Sequence, residues 1–264
     1  MGKGLWERFP GQVDEADMIL GYSVKDVCQG SVGNLDQTDY TQPALYVVSC
    51  LSFLAWAEDS GKQASFAAGH SVGEYAALFA AGMVRFGDGL RMVQKRGELM
   101  AKQAGGGMAA VIGMELEGIK AALAGNPSLE GVDIANINAP GQIVLSGKKE
   151  DIMAAQAVFE AAGARRYVPL NVSGAFHSRH MRAPGEEFRE AVSSVEFFQP
   201  FFPVISNLEA KPYEQGREAE LLVRQIYSPV QWVDSILYLR AQGEMDFVES
   251  GPGSVLTGLL RRIK

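Results

Sequence analysis

Apolar residues fall along this chain in short unbroken runs and in stripes at helical spacing, with glycine and proline punctuating the joins. The run at 64–68 has the length of a strand. It ends at Gly69-His70-Ser71-Val72-Gly73 and gives way to the helix-forming stretch 74–81. Upstream, Leu5, Phe9, Val13 and the apolar positions of 16–20, broken by Pro10-Gly11, predict two short helices, and the polar, glycine-rich 30–41 predicts a loop. The stretch 43–57 reads as a buried helix opened by Pro43, because proline is tolerated in a first helical turn. Ser49, Cys50 and Ser52 interrupt it, and it is too short to span a bilayer. Beyond 81, Asp88 can cap a helix running to about 103, on which Gly89, Val93, Arg96 and Met100 share one face. That spacing puts Arg96 on the inward side, where a guanidinium needs an anion, either a protein carboxylate or a bound one.

Gly105-Gly106-Gly107 reads as a hinge. After it the pattern runs strand 108–112, helix 117–124, strand 132–137, turn at Pro140-Gly141, strand 143–145, helix 149–162 and strand 166–170. A βαββαβ order of this kind is the ferredoxin-like unit. The remaining segments predict a helix at 183–199, a short buried strand at 204–207, a helix at 218–226, a last strand at 245–249 and a terminal helix. The expected fold class is therefore α/β: an α/β-hydrolase-like large domain, 1–105 and 171–264, with a mainly parallel sheet and an inserted small ferredoxin-like domain, 106–170.

Composition narrows the function classes. At 264 residues, 47% hydrophobic and 21% charged, the chain is an ordinary globular protein with enough length for a sizeable core. A net charge of −7 argues against nucleic-acid binding, which needs a basic face against phosphates. Cys28 and Cys50 lie in or beside apolar stretches, and residues 1–20 lack the continuous apolar core of a signal peptide, so reduced thiols and a cytoplasmic location are expected.

The candidate chemistry starts at Ser71. Gly-x-Ser-x-Gly between a strand and a helix is a nucleophile elbow, which holds the serine in a strained, exposed turn. The following helix start places its free N–H groups at the serine, so the Val72 N–H can stabilise an oxyanion there. A serine nucleophile needs a general base, and the chain has three histidines. His70 adjoins Ser71 and should point elsewhere, while His177 follows a strand returning from the small domain and His180 reads as structural. No acid stands out between Ser71 and His177, unlike the serine, acid, histidine order of ordinary α/β-hydrolases.

The residues resemble the malonyl-CoA:acyl carrier protein transacylases, including the discrete acyltransferases that serve polyketide synthases. The resemblance runs through Gly69-His-Ser-Val-Gly-Glu-Tyr75, Gln94-Lys-Arg-Gly97, Gly107-Met-Ala-Ala110, Asn138-Ala-Pro-Gly-Gln142, Gly174-Ala-Phe-His-Ser178, Ser228-Pro-Val-Gln-Trp232 and Gly251-Pro-Gly253. It implies that Ser71 is the acyl-accepting nucleophile, His177 the general base and acid, and Arg96 the partner of a malonyl carboxylate. It further implies that Gln231 orients the histidine where a triad acid would otherwise stand, and that Phe176 favours malonyl over methylmalonyl. Malonyl-CoA and an acyl carrier protein are the implied partners, in fatty-acid or polyketide synthesis, and the ping-pong scheme needs no cofactor and no metal. Arg165, Arg166, Arg179 and Arg182 are a candidate basic patch for the carrier protein.

One departure stands out. Members of the family begin with an apolar strand ending in Phe-Pro-Gly-Gln-Gly-x-Gln, whose first glutamine helps build the oxyanion hole. Phe9-Pro10-Gly11-Gln12 looks like it, yet Val13-Asp14 follows and helix-like charged residues precede, so the match is read as coincidental. Without that donor an acyl transferase would lose roughly 100-fold in rate or more. Two alternatives stay open on the sequence: a hydrolase clearing acyl groups from carrier proteins with the same Ser71 and His177, and an impaired docking protein.

Overall fold

The computed structural model describes all residues 1–264. Three helices lead: α1 (Pro10–Leu20), α2 (Val24–Gln29) and α3 (Thr38–Ser60). Residues 1–20 thus hold one helix rather than two, with Phe9 at its N-cap and Pro10 inside its first turn, where the missing proline N–H is harmless. The Phe9-Pro10-Gly11-Gln12 look-alike is therefore the start of a helix. Pro43 does not open α3 but lies inside it. The added first turn is held by packing: a Cβ at Gly97 would sit 3.1 Å from the Asp39 Cα, so the glycine lets that turn rest directly on the next long helix.

The short strand β1 (Ala67–Ala68) enters the serine turn, α4 (Gly73–Ala80) leaves it, and α5 (Phe86–Ala101) carries Arg96. Tyr46, Leu51, Tyr75, Leu78, Leu90 and Val93 are fully buried where α3, α4 and α5 meet, which fixes the elbow helix against a rigid base.

The second unit follows as β2 (Gly106–Ile112), α6 (Leu116–Ala124), β3 (Asp133–Ala139), β4 (Gln142–Lys148), α7 (Lys149–Ala161) and β5 (Arg166–Pro169). Its four strands are antiparallel in the order β3-β4-β2-β5, with α7 laying Ile152, Ala155 and Phe159 on the sheet. Gly106 and Gly107 are not a free hinge. They begin β2, and a Cβ on Gly106 would lie 2.0 Å from the Ala175 N, so the strand passes directly beneath the segment that carries His177.

The chain returns through α8 (Arg182–Ser193), β6 (Val204–Ile205), α9 (Glu218–Gln225), α10 (Trp232–Arg240) and α11 (Val255–Leu260). β6 pairs in parallel with β1, Ala67 opposite Val204 and Ala68 opposite Ile205, so the parallel sheet consists of two short strands. The strand expected at 245–249 does not form, because β1 pairs only with β6 and leaves 245–249 without a ladder partner. Glu249 takes another role: its carboxylate accepts from the N–H groups of Leu256 (3.0 Å) and Thr257 (2.8 Å) at the start of α11. No helix is long and apolar enough to cross a membrane.

Candidate active site

The turn between β1 and α4 is tight because Gly69 has no side chain; a Cβ there would lie 2.0 Å from the Gly73 carbonyl carbon. Ser71 sits at φ +53°, a strained value for a residue with a side chain. Asn207, just past β6, straps the turn from both ends. Its Nδ2 donates to Gly69 O at 2.6 Å and its Oδ1 accepts from the Ser71 N–H at 2.7 Å. With the Ser71 N–H so engaged, the Val72 N–H at the head of α4 remains without a protein acceptor.

His177 also sits at positive φ, +57°, in the segment that crosses over Gly106. Its Nε2 lies 2.7 Å from Ser71 Oγ, and its Nδ1 lies 2.8 Å from the main-chain carbonyl of Gln225. A carbonyl can only accept, so Nδ1 carries the proton and Nε2 is the free base facing the serine hydroxyl. Burial, reinforced by the charge of Arg96, pulls the His177 pKa down to about 3. The imidazole is therefore neutral at pH 7 and ready to accept a proton.

Arg96 is 1% exposed, and its hydrogen bonds go to neutral groups. Nη1 donates to Gln42 Oε1, and Nη2 donates to Gln225 Oε1 at 2.9 Å and to Ser71 Oγ at 3.1 Å. Its Nε has no partner. The guanidinium carbon lies 5.7 Å from the centre of the Tyr75 ring, which adds a cation–π contact. A buried guanidinium with a free donor and no directly bonded carboxylate, bonded to the nucleophile, retains capacity for an anion.

Behind these groups Glu74 is 1% exposed on α4. Its carboxylate accepts from the Asn207 N–H (3.0 Å), the Tyr213 hydroxyl and Gln225 Nε2 (2.8 Å). Burial holds its pKa up at about 7 although these donors pull it down.

Of the residues expected at the site, the structure brings Ser71, Val72, His177 and Arg96 together. Phe176 packs its ring over Gly174 and against both the main core and the Met108 and Val144 cluster, beside the histidine. Gln231 is not there. Its N–H donates to Asn207 O at 2.9 Å, and its side chain makes no hydrogen bond and lines a separate cleft with Ile137, Leu208 and Tyr238. The histidine is oriented by Gln225 instead, through a backbone carbonyl at the C-terminal end of α9. The amide was marked in the sequence by its place on the buried Leu221 and Leu222 stripe, since an amide there needs partners. Asn207 likewise follows the carboxyl end of a parallel strand, where α/β sites collect.

The other histidines are structural: His70 Nε2 pairs with Asn138 Oδ1 at 2.7 Å, and His180 Nε2 lies 3.1 Å from Gly131 O. Arg179 is not a free member of a basic patch. Its backbone N–H (2.8 Å) and guanidinium both donate to Asp133 on β3, tying the turn after His177 to the small sheet. No cluster of His, Cys, Asp and Glu side chains has a metal-binding arrangement.

A family model described as acyl transferase domain matches residues 1–263. Over 266 aligned residues the chain is 51% identical to the polyketide biosynthesis malonyl CoA-acyl carrier protein transacylase PksC of Bacillus subtilis, covering 100% of this chain and 92% of PksC. It is 50% identical to the polyketide biosynthesis protein PksE of the same organism, but spans only 35% of that longer protein. A crystal structure of malonyl CoA-acyl carrier protein transacylase from Burkholderia pseudomallei superposes with a TM-score of 0.93 at 43% identity, over 100% of this chain and 92% of the other.

Proposed function

This chain belongs to the acyl transferase domain family, and from that premise we propose that it moves a malonyl group from malonyl-CoA to the phosphopantetheine thiol of an acyl carrier protein, through an ester on Ser71. The observation that carries the reading is Arg96. It is buried, bonded only to two amides and the nucleophile, and has an unpartnered Nε, so the carboxylate it lacks is supplied by the substrate. The similarity to PksC favours polyketide over fatty-acid synthesis, and the buried free thiols of Cys28 and Cys50 favour a cytoplasmic enzyme.

The geometry supports a two-step exchange. Ser71 Oγ attacks the thioester carbonyl while His177 Nε2 takes its proton, and the oxyanion forms against the Val72 N–H. The tetrahedral intermediate collapses by breaking the C–S bond, and His177 returns the proton to the departing CoA sulfur. The carrier thiol then repeats the sequence in reverse, losing its proton to His177 and displacing Ser71 Oγ, which recovers it.

A carbonyl rather than a carboxylate behind His177 stabilises the imidazolium only modestly. That suffices for exchange between thiols of similar reactivity. Arg96 donates to Ser71 Oγ, and a bound carboxylate would take over that donor and free the hydroxyl for attack. Phe176, beside the base, crowds an α-methyl group and favours malonyl over methylmalonyl.

Removing Arg96 as Arg96→Ala strands a buried substrate carboxylate and should cost about 2–5 kcal/mol in malonyl acylation. The test is the rate of Ser71 ester formation from malonyl-CoA and from acetyl-CoA. Loss confined to malonyl supports the reading; equal loss from both refutes it. Turnover to free malonate with no transfer to the carrier thiol would mark a hydrolase.

A further inference from the structure

Glu74 is used by none of the steps above, yet it is a buried carboxylate linked to Arg96 through a single amide. Gln225 Nε2 donates to Glu74 Oε2 and to Ser71 O, both at 2.8 Å. An amide is planar with opposed ends, so those two bonds fix which way it faces. Its Oε1 is thereby left pointing at Arg96 Nη2, 2.9 Å away, while its main-chain carbonyl holds His177.

We propose that Glu74 is a positioning and specificity residue, which acts through Gln225 to keep Arg96 charged, oriented and open to a substrate carboxylate. This rests on the reading of Arg96 as the malonyl receptor. The physical reason lies in the spacing. A carboxylate bonded directly to Arg96 would satisfy the guanidinium and compete with the substrate. Placed one amide away, Glu74 in its carboxylate form offsets the buried positive charge and leaves the guanidinium Nε without a partner.

The oxygens of Glu74 leave no alternative arrangement. Oε1 accepts from the Asn207 N–H and the Tyr213 hydroxyl, and Oε2 from Gln225. In Glu74→Gln the single carbonyl stays with Asn207 and Tyr213, so an NH2 group faces the NH2 of Gln225. If Gln225 turns over to accept, it presents its own NH2 to Arg96 and its carbonyl to Ser71 O. Either arrangement takes the acceptor away from the guanidinium. Glu74→Asp keeps the charge and withdraws the carboxylate from Gln225 by one methylene.

The experiment measures second-order acylation of Ser71 by malonyl-CoA and by acetyl-CoA for the full chain, Glu74→Gln, Glu74→Asp and Arg96→Ala, with thermal unfolding to confirm folding. The expected result is a loss of about tenfold or more with malonyl-CoA in both Glu74 variants, the worth of one charge-assisted hydrogen bond, and less than about threefold with acetyl-CoA. Should Glu74→Gln fail to fold, Glu74→Asp decides alone. Equal losses with the two acyl groups would show a merely structural role and overturn the inference, as would an unchanged ratio in Glu74 variants beside a collapsed ratio in Arg96→Ala. A wild-type ratio in Arg96→Ala would overturn the reading of Arg96 and the inference with it.

Discussion

Asn207→Ala tests whether the elbow is held from outside rather than by its own glycines. The substitution removes the donor to Gly69 O and the acceptor from the Ser71 N–H, and Asn207 is 1% exposed, so water does not replace either bond. Two main-chain groups, one buried and one part-buried, are left unpaired at about 1–3 kcal/mol each, for a total of roughly 2–6 kcal/mol. For a chain of this size that is a fall in Tm of roughly 4–24 °C. The strain at Ser71, held at φ +53°, relaxes once the strap is gone, which moves Oγ off His177 Nε2. Acylation by malonyl-CoA at a temperature well below either Tm should slow by about 10- to 100-fold, as expected for misplaced reacting groups. Circular dichroism melts and intact-mass time courses read the two effects. Asn207→Asp keeps the acceptor for Ser71 and loses the donor to Gly69, so its Tm should fall between the other two. An Asn207→Ala protein that melts with wild type and acylates at the wild-type rate would refute the strap.

His177, pulled down to about 3 by burial and by Arg96, stays neutral far below the ordinary imidazole range, so with acetyl-CoA, whose transfer does not draw on Arg96 and Glu74, the acid limb of the Ser71 acylation rate should lie below ~pH 5. A midpoint between pH 6 and 7 would contradict it. Since the folded pKa is below the unfolded one, the stability that His177 contributes is full above about 6.5 and is lost as pH falls toward 3, which pH-dependent unfolding of wild type against His177→Ala would read. Gly69→Ala should give no folded protein, because its Cβ meets backbone atoms of Gly73 and Glu74 at 2.0 and 2.4 Å; a soluble, active variant would sink that account of the turn. Asp133→Ala should slow acylation more than Arg179→Ala, because the second variant retains the backbone N–H to Asp133; the reverse order, by intact-mass kinetics, would show that only the exposed guanidinium matters.

Ser71, Arg96 and His177 were legible because each carries a local signal: a glycine-flanked turn, a helical stripe, and the scarcity of histidines. The four-stranded sheet was legible for a similar reason, since its strands and helices connect within short stretches. What failed was non-local or carried by the backbone. The group orienting His177 is a main-chain carbonyl, which has no residue type, so the choice fell on Gln231 when Gln225 in the same segment supplies it. Asn207 and Glu74 hold the elbow across sequence separations of 136 and 133 residues, beyond any periodicity. The strand expected at 245–249 has the apolar pattern but no ladder partner, because a strand depends on what lies beside it. Pro43 misplaced a helix start because packing on Gly97 extended the helix past it.

The central claim is that Ser71 carries a malonyl group between two thiols. Intact-mass spectrometry of the chain mixed with malonyl-CoA, followed by addition of a phosphopantetheinylated acyl carrier protein, tests it in one experiment. The account predicts one malonyl ester per chain, absent in Ser71→Ala, which disappears as the same mass appears on the carrier protein. An adduct that persists in Ser71→Ala, or one released as free malonate without reaching the carrier thiol, would contradict it.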